Sequence, residues 1–186
     1  VSGISQKERE YIFAKFTNSS SRIDLFGIFT EFGIQIMKVN GLLTFIIPMQ
    51  LLKNTAFSSI RKNLLSNTSI HKINYVGSSI FEDANNDTIV IEYENISPSD
   101  DFEIEISLSS SNQLGLITKA KYHTKQSLFL TDNYSITLSS SSELLICNKL
   151  EKNSNELISE NFNIIQGIVT GLNGAYIFDG ENPHSI

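Results

Sequence analysis

The hydrophobic positions of this chain follow two rhythms, one of three to four residues and one of two, and the first half alternates between them. Residues 5 to 18 predict a short helix. Gln6, Lys7, Glu8, Arg9 and Glu10 favour helix, and Tyr11, Ile12, Phe13 and Phe16 supply apolar positions. A polar stretch, Asn18 to Ser21, ends it. Asp24 is placed to cap a second helix in which Leu25, Phe29, Phe32 and Ile36 share one face, widened by Phe26 and Met37. Asn40-Gly41 supplies left-handed residues to stop it. Leu42 to Ile47 is a nearly continuous apolar run closed by Pro48. That is the pattern of a strand buried on both faces by helices packed on a parallel sheet. Asn54 to Asn67 is helical again, with Phe57, Ile60, Leu64 and Leu65 on one face and Arg61 and Lys62 opposite, near its end. Ile70 to Val76 and Thr88 to Tyr93 read as strands around a polar loop, Gly77 to Asp87.

Connection lengths turn these elements into a topology. A strand, a helix and a strand imply a right-handed parallel crossover. The last two strands are joined by only about ten residues, short for a crossover, which predicts an antiparallel pair. The expected architecture is the edge of a mostly parallel α/β sheet with one reversed strand.

The pattern loosens after Asn95. Ser97-Pro98-Ser99-Asp100-Asp101 is linker-like, and Phe102, Ile104 and Ile106 alternate with Glu103, Glu105 and Ser107 as a half-buried strand should. Serine clusters at 109 to 111 and 139 to 142 punctuate a loose middle. Residues 143 to 158 read as a helix, with Cys147 as a small core residue on its apolar face. Ile164 to Thr170 and Ala175 to Phe178 read as strands.

Composition narrows the setting more than the chemistry. No run approaches the ~18 apolar residues a membrane span needs, so no membrane partner is expected. A single cysteine excludes an internal disulfide and a cysteine-based zinc site, and points to the cytoplasm. The net charge of -6 argues against a compact, self-sufficient DNA-binding module. His71, His123 and His184 show no metal-ligand spacing, and no phosphate-binding loop or nucleophile elbow is present. On these grounds alone the chain is part of an α/β sheet domain.

Ordered strings of residues say more. Ile23-Asp24-Leu25-Phe26-Gly27-Ile28-Phe29 is followed by Lys38-Val39-Asn40-Gly41-Leu42-Leu43-Thr44-Phe45-Ile46-Ile47-Pro48. Next come Phe57-Ser58-Ser59-Ile60-Arg61-Lys62-Asn63-Leu64-Leu65 and Ile80-Phe81-Glu82-Asp83-Ala84, the latter leading into Thr88-Ile89-Val90-Ile91. In that order and spacing the chain resembles the TaqI/Eco57I-like adenine-N6 DNA methyltransferases of type II restriction-modification systems. Ile165-Gln166-Gly167-Ile168-Val169-Thr170-Gly171-Leu172-Asn173-Gly174-Ala175-Tyr176 resembles the opening of that family's specificity domain. Asn40 stands where the family often has glycine, and Asn tolerates the same left-handed backbone.

The resemblance implies a division at residue 94. Residues 1–94 would be the C-terminal half of a Rossmann-like, S-adenosylmethionine-dependent catalytic domain. Residues 95–186 would be a linker and the start of a mixed α+β target-recognition region. The family's glycine-rich cofactor motif and its Asn/Asp-Pro-Pro-Tyr loop are not among these residues. The chain is therefore expected to be an internal piece, inactive alone, with S-adenosylmethionine bound mainly elsewhere. Its implied partners are duplex DNA and a cognate or fused restriction endonuclease, and its bare sheet edge predicts self-association.

The resemblance also assigns residues. Phe81 would stack on an adenine flipped from the duplex; the residues alone favour its tucking under its own loop. Asp24 and Phe26 would stand near the substrate, or serve merely as helix cap and core aromatic. Gly167, Thr170, Gly171 and Asn173 would approach DNA phosphates, or simply form a tight turn. Two other readings compete: a non-catalytic DNA-recognition subunit that kept the fold, and a methyltransferase acting on RNA or protein.

Overall fold

A computed structural model describes residues 4–19, 24–78, 86–112, 115–153 and 162. The predicted strands at 164–170 and 175–178 lie outside them. Compactness divides the chain into Val1–Cys147 and Asn148–Ile186, and the sheet with the helices packed on it belongs to the first unit.

Helix α1 (Gln6–Lys15) starts at a capping box. Ser5 Oγ accepts the Glu8 amide at 3.4 Å and the Glu8 carboxylate accepts the Ser5 amide at 2.7 Å, so two amides left orphaned by helix geometry are satisfied. Helix α2 (Leu25–Ile36) follows, then strand β1 (Leu42–Pro48). Between them Asn40 takes φ 60°, and a Cβ on Gly41 would meet the Lys38 carbonyl at 2.8 Å, so the tight turn requires glycine there. The turn lies beyond the end of α2, which already stops at Ile36.

A short helix α3 (Gln50–Lys53) and a 3-10 turn lead into α4 (Ser58–Asn67). Strands β2 (Ser69–Gly77) and β3 (Thr88–Glu94) come next, then β4 (Glu103–Asn112) and β5 (Gly115–Lys125). Helix α5 (Ser141–Asn153) is the last described element.

The five strands form one sheet in the order β1-β3-β2-β4-β5. Strand β3 runs antiparallel between β1 and β2, which are therefore co-directional as a crossover requires. Strand β4 is parallel to β2, and β5 returns antiparallel to β4. The fold is α/β, but the expected mostly parallel sheet is corrected: among the described strands only β2 and β4 pair parallel. The reversed strand lies inside the sheet, and β5 adds a second reversal. The sheet also runs past residue 94, since β4 hydrogen-bonds directly to β2.

One face of the sheet carries the core. Leu43, Phe45 and Ile47 of β1 lie across from Tyr93, Ile91 and Ile89 of β3. Ile70, Ile73, Ile104 and Ile106 join them beneath Phe57, Ile60, Leu64 and Leu65. The opposite face is polar. A row crosses all five strands through Thr44, Glu92, Lys72, Glu105 and His123. Lys121 beside the row and Lys72 within it pair with Glu105 at 2.6 and 3.1 Å, and they hold its carboxyl below the usual range. The expectation that β1 is buried on both faces is thus corrected: Leu42 and Ile46 point out, 59% and 56% exposed.

The predicted stripe on α2 is corrected too. Leu25, Phe29, Phe32 and Ile36 are all exposed, and α2 buries the side bearing Gly27, Ile28, Thr30, Glu31 and Gly33. Gly33 explains the choice. A Cβ there would lie 2.5 Å from Leu43 Cδ2 and 3.1 Å from Phe45 Cε2, so any larger residue requires these side chains to shift or the helix to move off the strand. Cys147 is exposed, not a core residue; of the apolar residues on α5 in this unit, Leu144 alone is buried.

Two buried polar side chains tie the segment that follows β5 to the earlier half. Arg61, expected on the outer face of α4, is fully buried. Its guanidinium donates to the carbonyls of Leu51 (2.9 Å), Asn54 (2.6 Å), Asn133 (2.8 Å) and Tyr134 (2.9 Å). Burial pulls its pKa down, yet guanidinium remains charged in proteins, so these bonds are charge-assisted. Gln126 donates to the Leu65 and Thr68 carbonyls at 2.9 and 2.7 Å and accepts the Ile70 amide at 2.9 Å. It thereby caps the end of α4 and the start of β2 at once.

Candidate functional site

Strands β1, β2 and β4 run the same way, and open α/β sheets present ligand crevices beyond the carboxyl ends of such strands. Two open grooves lie at that rim. One, of about 410 Å³, is lined by Met49, Gln50, Lys53, Asn54, Asn86 and Asp87. The other, of about 380 Å³, is lined by Met49, Tyr75, Leu108, Ser109, Ser110, Lys119 and Leu138. Met49 belongs to both.

The base of the loop between β2 and β3 is fixed against this rim. The Met49 amide donates to the Asp87 carbonyl at 2.8 Å. The Tyr75 hydroxyl donates to Asp87 Oδ1 at 2.9 Å, and that bond to a carboxylate, with burial, raises the phenol's pKa. Thr88 Oγ1 donates to the Asn86 carbonyl at 3.0 Å, and Gly77 enters the loop at φ 89°. Below the rim, Asn74 Oδ1 accepts hydrogen bonds from Ser107 and Ser109 Oγ, both 2.9 Å. Both ends of the loop are therefore hydrogen-bonded to the rim.

Phe81, the residue singled out for stacking, lies outside the described residues, as do Gly167, Thr170, Gly171 and Asn173. Asp24 and Phe26 are described. Helix α2 runs back along β1, with Gly33 beside Leu43 and Phe45 and Gly27 beside Phe57 and Ile60, so its N-terminus reaches the end where β1 finishes. Asp24 stands there in the N-cap position with extended backbone, its carbonyl accepting the Ile28 amide at 3.1 Å; its side chain makes no capping bond. Phe26 packs on Phe57, ring centroids 4.8 Å apart, half-buried at the edge of the core. The strand β1 ends at Pro48, half-buried just before Met49.

Met49, Lys53, Tyr75, Asp87 and Lys119 were not singled out from the sequence. Tyr75 and Asp87 flank a strand-loop-strand unit that was recognised, so their position was available. Lys119 belongs to β5, which the pattern hid.

Among the described residues no helix is long and apolar enough to cross a membrane. The family model described as Eco57I restriction-modification methylase matches residues 1–81. Over that stretch, which ends at Phe81, this bears out the resemblance to a restriction-modification methylase. Solved structures resemble the chain more loosely. The type IIG restriction endonuclease BpuSI is 17% identical with a TM-score of 0.46, over 68% of this chain and 18% of its own. The type I restriction enzyme EcoKI M protein is 17% identical at 0.40, over 47% and 19%. A modification subunit of a putative type I restriction enzyme from Vibrio vulnificus YJ016 is 16% identical at 0.40, over 68% and 25%. The chain thus spans a quarter or less of each of these proteins. No curated protein matches it.

Proposed function

We propose that this chain is part of a site-specific DNA methyltransferase of a restriction-modification system. In this reading the parent protein transfers a methyl group from S-adenosylmethionine to N6 of adenine in duplex DNA. The observation that carries the reading is the restriction-modification methylase match over residues 1–81. Residues 1–94 then belong to the catalytic domain together with β4 and β5, which continue its sheet, and the opening of the specificity domain falls in the residues that follow.

The chemistry sets what this chain must contribute. The adenine amine is tied up in base pairing, so the base has to leave the stack before it can be methylated. A flipped base needs an aromatic face, and the reading assigns that face to Phe81. The loop ends at Tyr75, Asp87 and Thr88 are held by hydrogen bonds, which supports a loop that positions a residue. S-adenosylmethionine supplies the activated methyl group. No residue of this chain is assigned to hold it, because the glycine-rich motif and the Asn/Asp-Pro-Pro-Tyr loop are absent from the 186 residues. Gly167, Thr170, Gly171 and Asn173 are assigned to DNA phosphates through their backbone amides. Asp24 stands at the substrate end of α2, and Phe26 supports Phe57 from the core side.

The test is methyl transfer to DNA by the parent protein, with and without Phe81→Ala. Loss of one base-aromatic stack costs about 1–3 kcal/mol, so methylation at limiting DNA should fall roughly 5- to 150-fold, with S-adenosylmethionine binding intact. Full activity of the variant removes Phe81 from the site. A parent that binds DNA but never methylates it favours a DNA-recognition subunit instead.

A further inference from the structure

The rim holds a lysine whose placement is not explained by packing. Strand β5 carries a bulge opposite β4: Leu108 faces Ala120 and Ser109 faces Thr118, which leaves Lys119 between them with no residue opposite. A bulge bends the strand and re-aims the extra side chain. Here it brings Lys119 to the groove of about 380 Å³, beside Ser110. The groove is otherwise lined by Met49, Tyr75, Leu108 and Leu138, an aromatic ring and three apolar side chains, and by Ser109, whose hydroxyl is already bonded to Asn74.

The neighbouring lysines on β5 are occupied. Lys121 pairs with Glu105 at 2.6 Å and Lys125 with Asp101 at 2.5 Å. Lys119 makes no ion pair among the described residues and is exposed. The Tyr75 ring beside it is fixed in place by the hydroxyl bond to Asp87. A cation and a hydroxyl suit a phosphodiester, and a fixed ring with an aliphatic floor suits a sugar or base face. The adjoining groove also holds a lysine, Lys53, but Asp87 lines that groove directly, whereas it meets the Lys119 groove only through its hydrogen bond to the Tyr75 hydroxyl.

We propose that the Lys119 groove holds one nucleotide of the DNA strand beside the target base, its phosphate on the Lys119 ammonium and its sugar or base against Tyr75. This deepens the DNA methyltransferase reading and rests on it. The groove gives an acidic chain a local cationic contact where the strands end, carried by the residue at the β5 bulge.

The experiment is a salt series of DNA affinity with the parent protein and the variants Lys119→Gln, Lys119→Arg and Lys38→Gln. Lys38 precedes β1, at the opposite end of the strands. Each phosphate contact contributes about 0.9 to the slope of log affinity against log salt. Lys119→Gln should lower the slope by about that amount and weaken binding similarly on all sequences. Lys119→Arg should restore the slope, and Lys38→Gln should leave it unchanged. S-adenosylmethionine binding checks that each variant is folded. An unchanged slope in Lys119→Gln, or an equal drop in Lys38→Gln, overturns the groove while leaving DNA methylation standing. A wild-type parent that binds no DNA at any salt overturns the methyltransferase reading, and the groove with it.

Discussion

Helices α2 and α4 lie on the same face of the same sheet, and each shows apolar residues at helical spacing, yet they settle in opposite ways. Helix α4 turns its stripe inward: Ile60, Leu64 and Leu65 are buried to the last per cent. Helix α2 turns its bulky stripe outward, with Phe29 and Ile36 55% and 62% exposed, and packs through Gly27, Ile28, Thr30 and Gly33. The difference shows what periodicity leaves open. A helix apolar on most of its circumference has two candidate faces, and closeness of approach chooses between them. Glycine at position 33 lets α2 sit nearly on Leu43 and Phe45, where a larger residue would hold it off. Polar groups on that buried side are satisfied locally. Thr30 Oγ1 donates to the Phe26 carbonyl at 2.7 Å, and the Glu31 carboxylate accepts both the backbone and side-chain amides of Asn18.

The contrast can be broken most forcefully from α4. Arg61→Met should destabilise the 186-residue chain by about 3–5 kcal/mol, since it strands one buried and three part-buried carbonyls, and a fully buried one left unpaired costs about 1–3 kcal/mol. Urea unfolding measures this, and a loss below 1 kcal/mol would mean the carbonyls find other donors. Leu64→Ala, a fully buried truncation, should cost about 2–5 kcal/mol by the same measurement. On α2, Gly33→Ala should cost about 1–3 kcal/mol through overpacking against Leu43 and Phe45. A neutral or stabilising result would show that α2 can slide outward. Phe29→Gln on the outward stripe should change stability by no more than about 0.5 kcal/mol. A loss comparable to Leu64→Ala would show that the stripe is buried in solution, and the comparison would collapse.

Much of the fold was legible in the sequence. The strands β1, β2 and β3 fell where alternation and apolar runs placed them, and the ten-residue loop correctly predicted an antiparallel β2–β3 pair. What was hidden has physical causes. Strand β5 went unseen because its inward residues, Ala120, Tyr122 and Thr124, are small or polar-tipped and give little hydrophobic signal. Tyr122 and Thr124 instead donate hydrogen bonds to the Leu138 and Ser139 carbonyls. Ser109 looked like loop material, but it is buried and bonded to Asn74. Arg61 was placed outside because a charged residue on a helix is ordinarily solvated, and no local pattern announces carbonyls that arrive from a distant segment. At the site, the loop between β2 and β3 was identified as the place to look, while the lysine presented by the β5 bulge depended on a strand that the pattern concealed.

The Arg61 clamp also has a consequence for how the chain is made. Two of its four carbonyl partners, Asn133 and Tyr134, lie 72 and 73 residues further along. At a synthesis rate of about 5–20 residues per second, roughly 4–15 s separate the emergence of the guanidinium from that of its last acceptors. Through that interval α4 carries a charge that cannot yet be buried without loss, so the inner end of the helix stays hydrated. The clamp on Arg61 is therefore complete only when the segment after β5 delivers its two carbonyls, which couples the closing of the early core to the arrival of that segment.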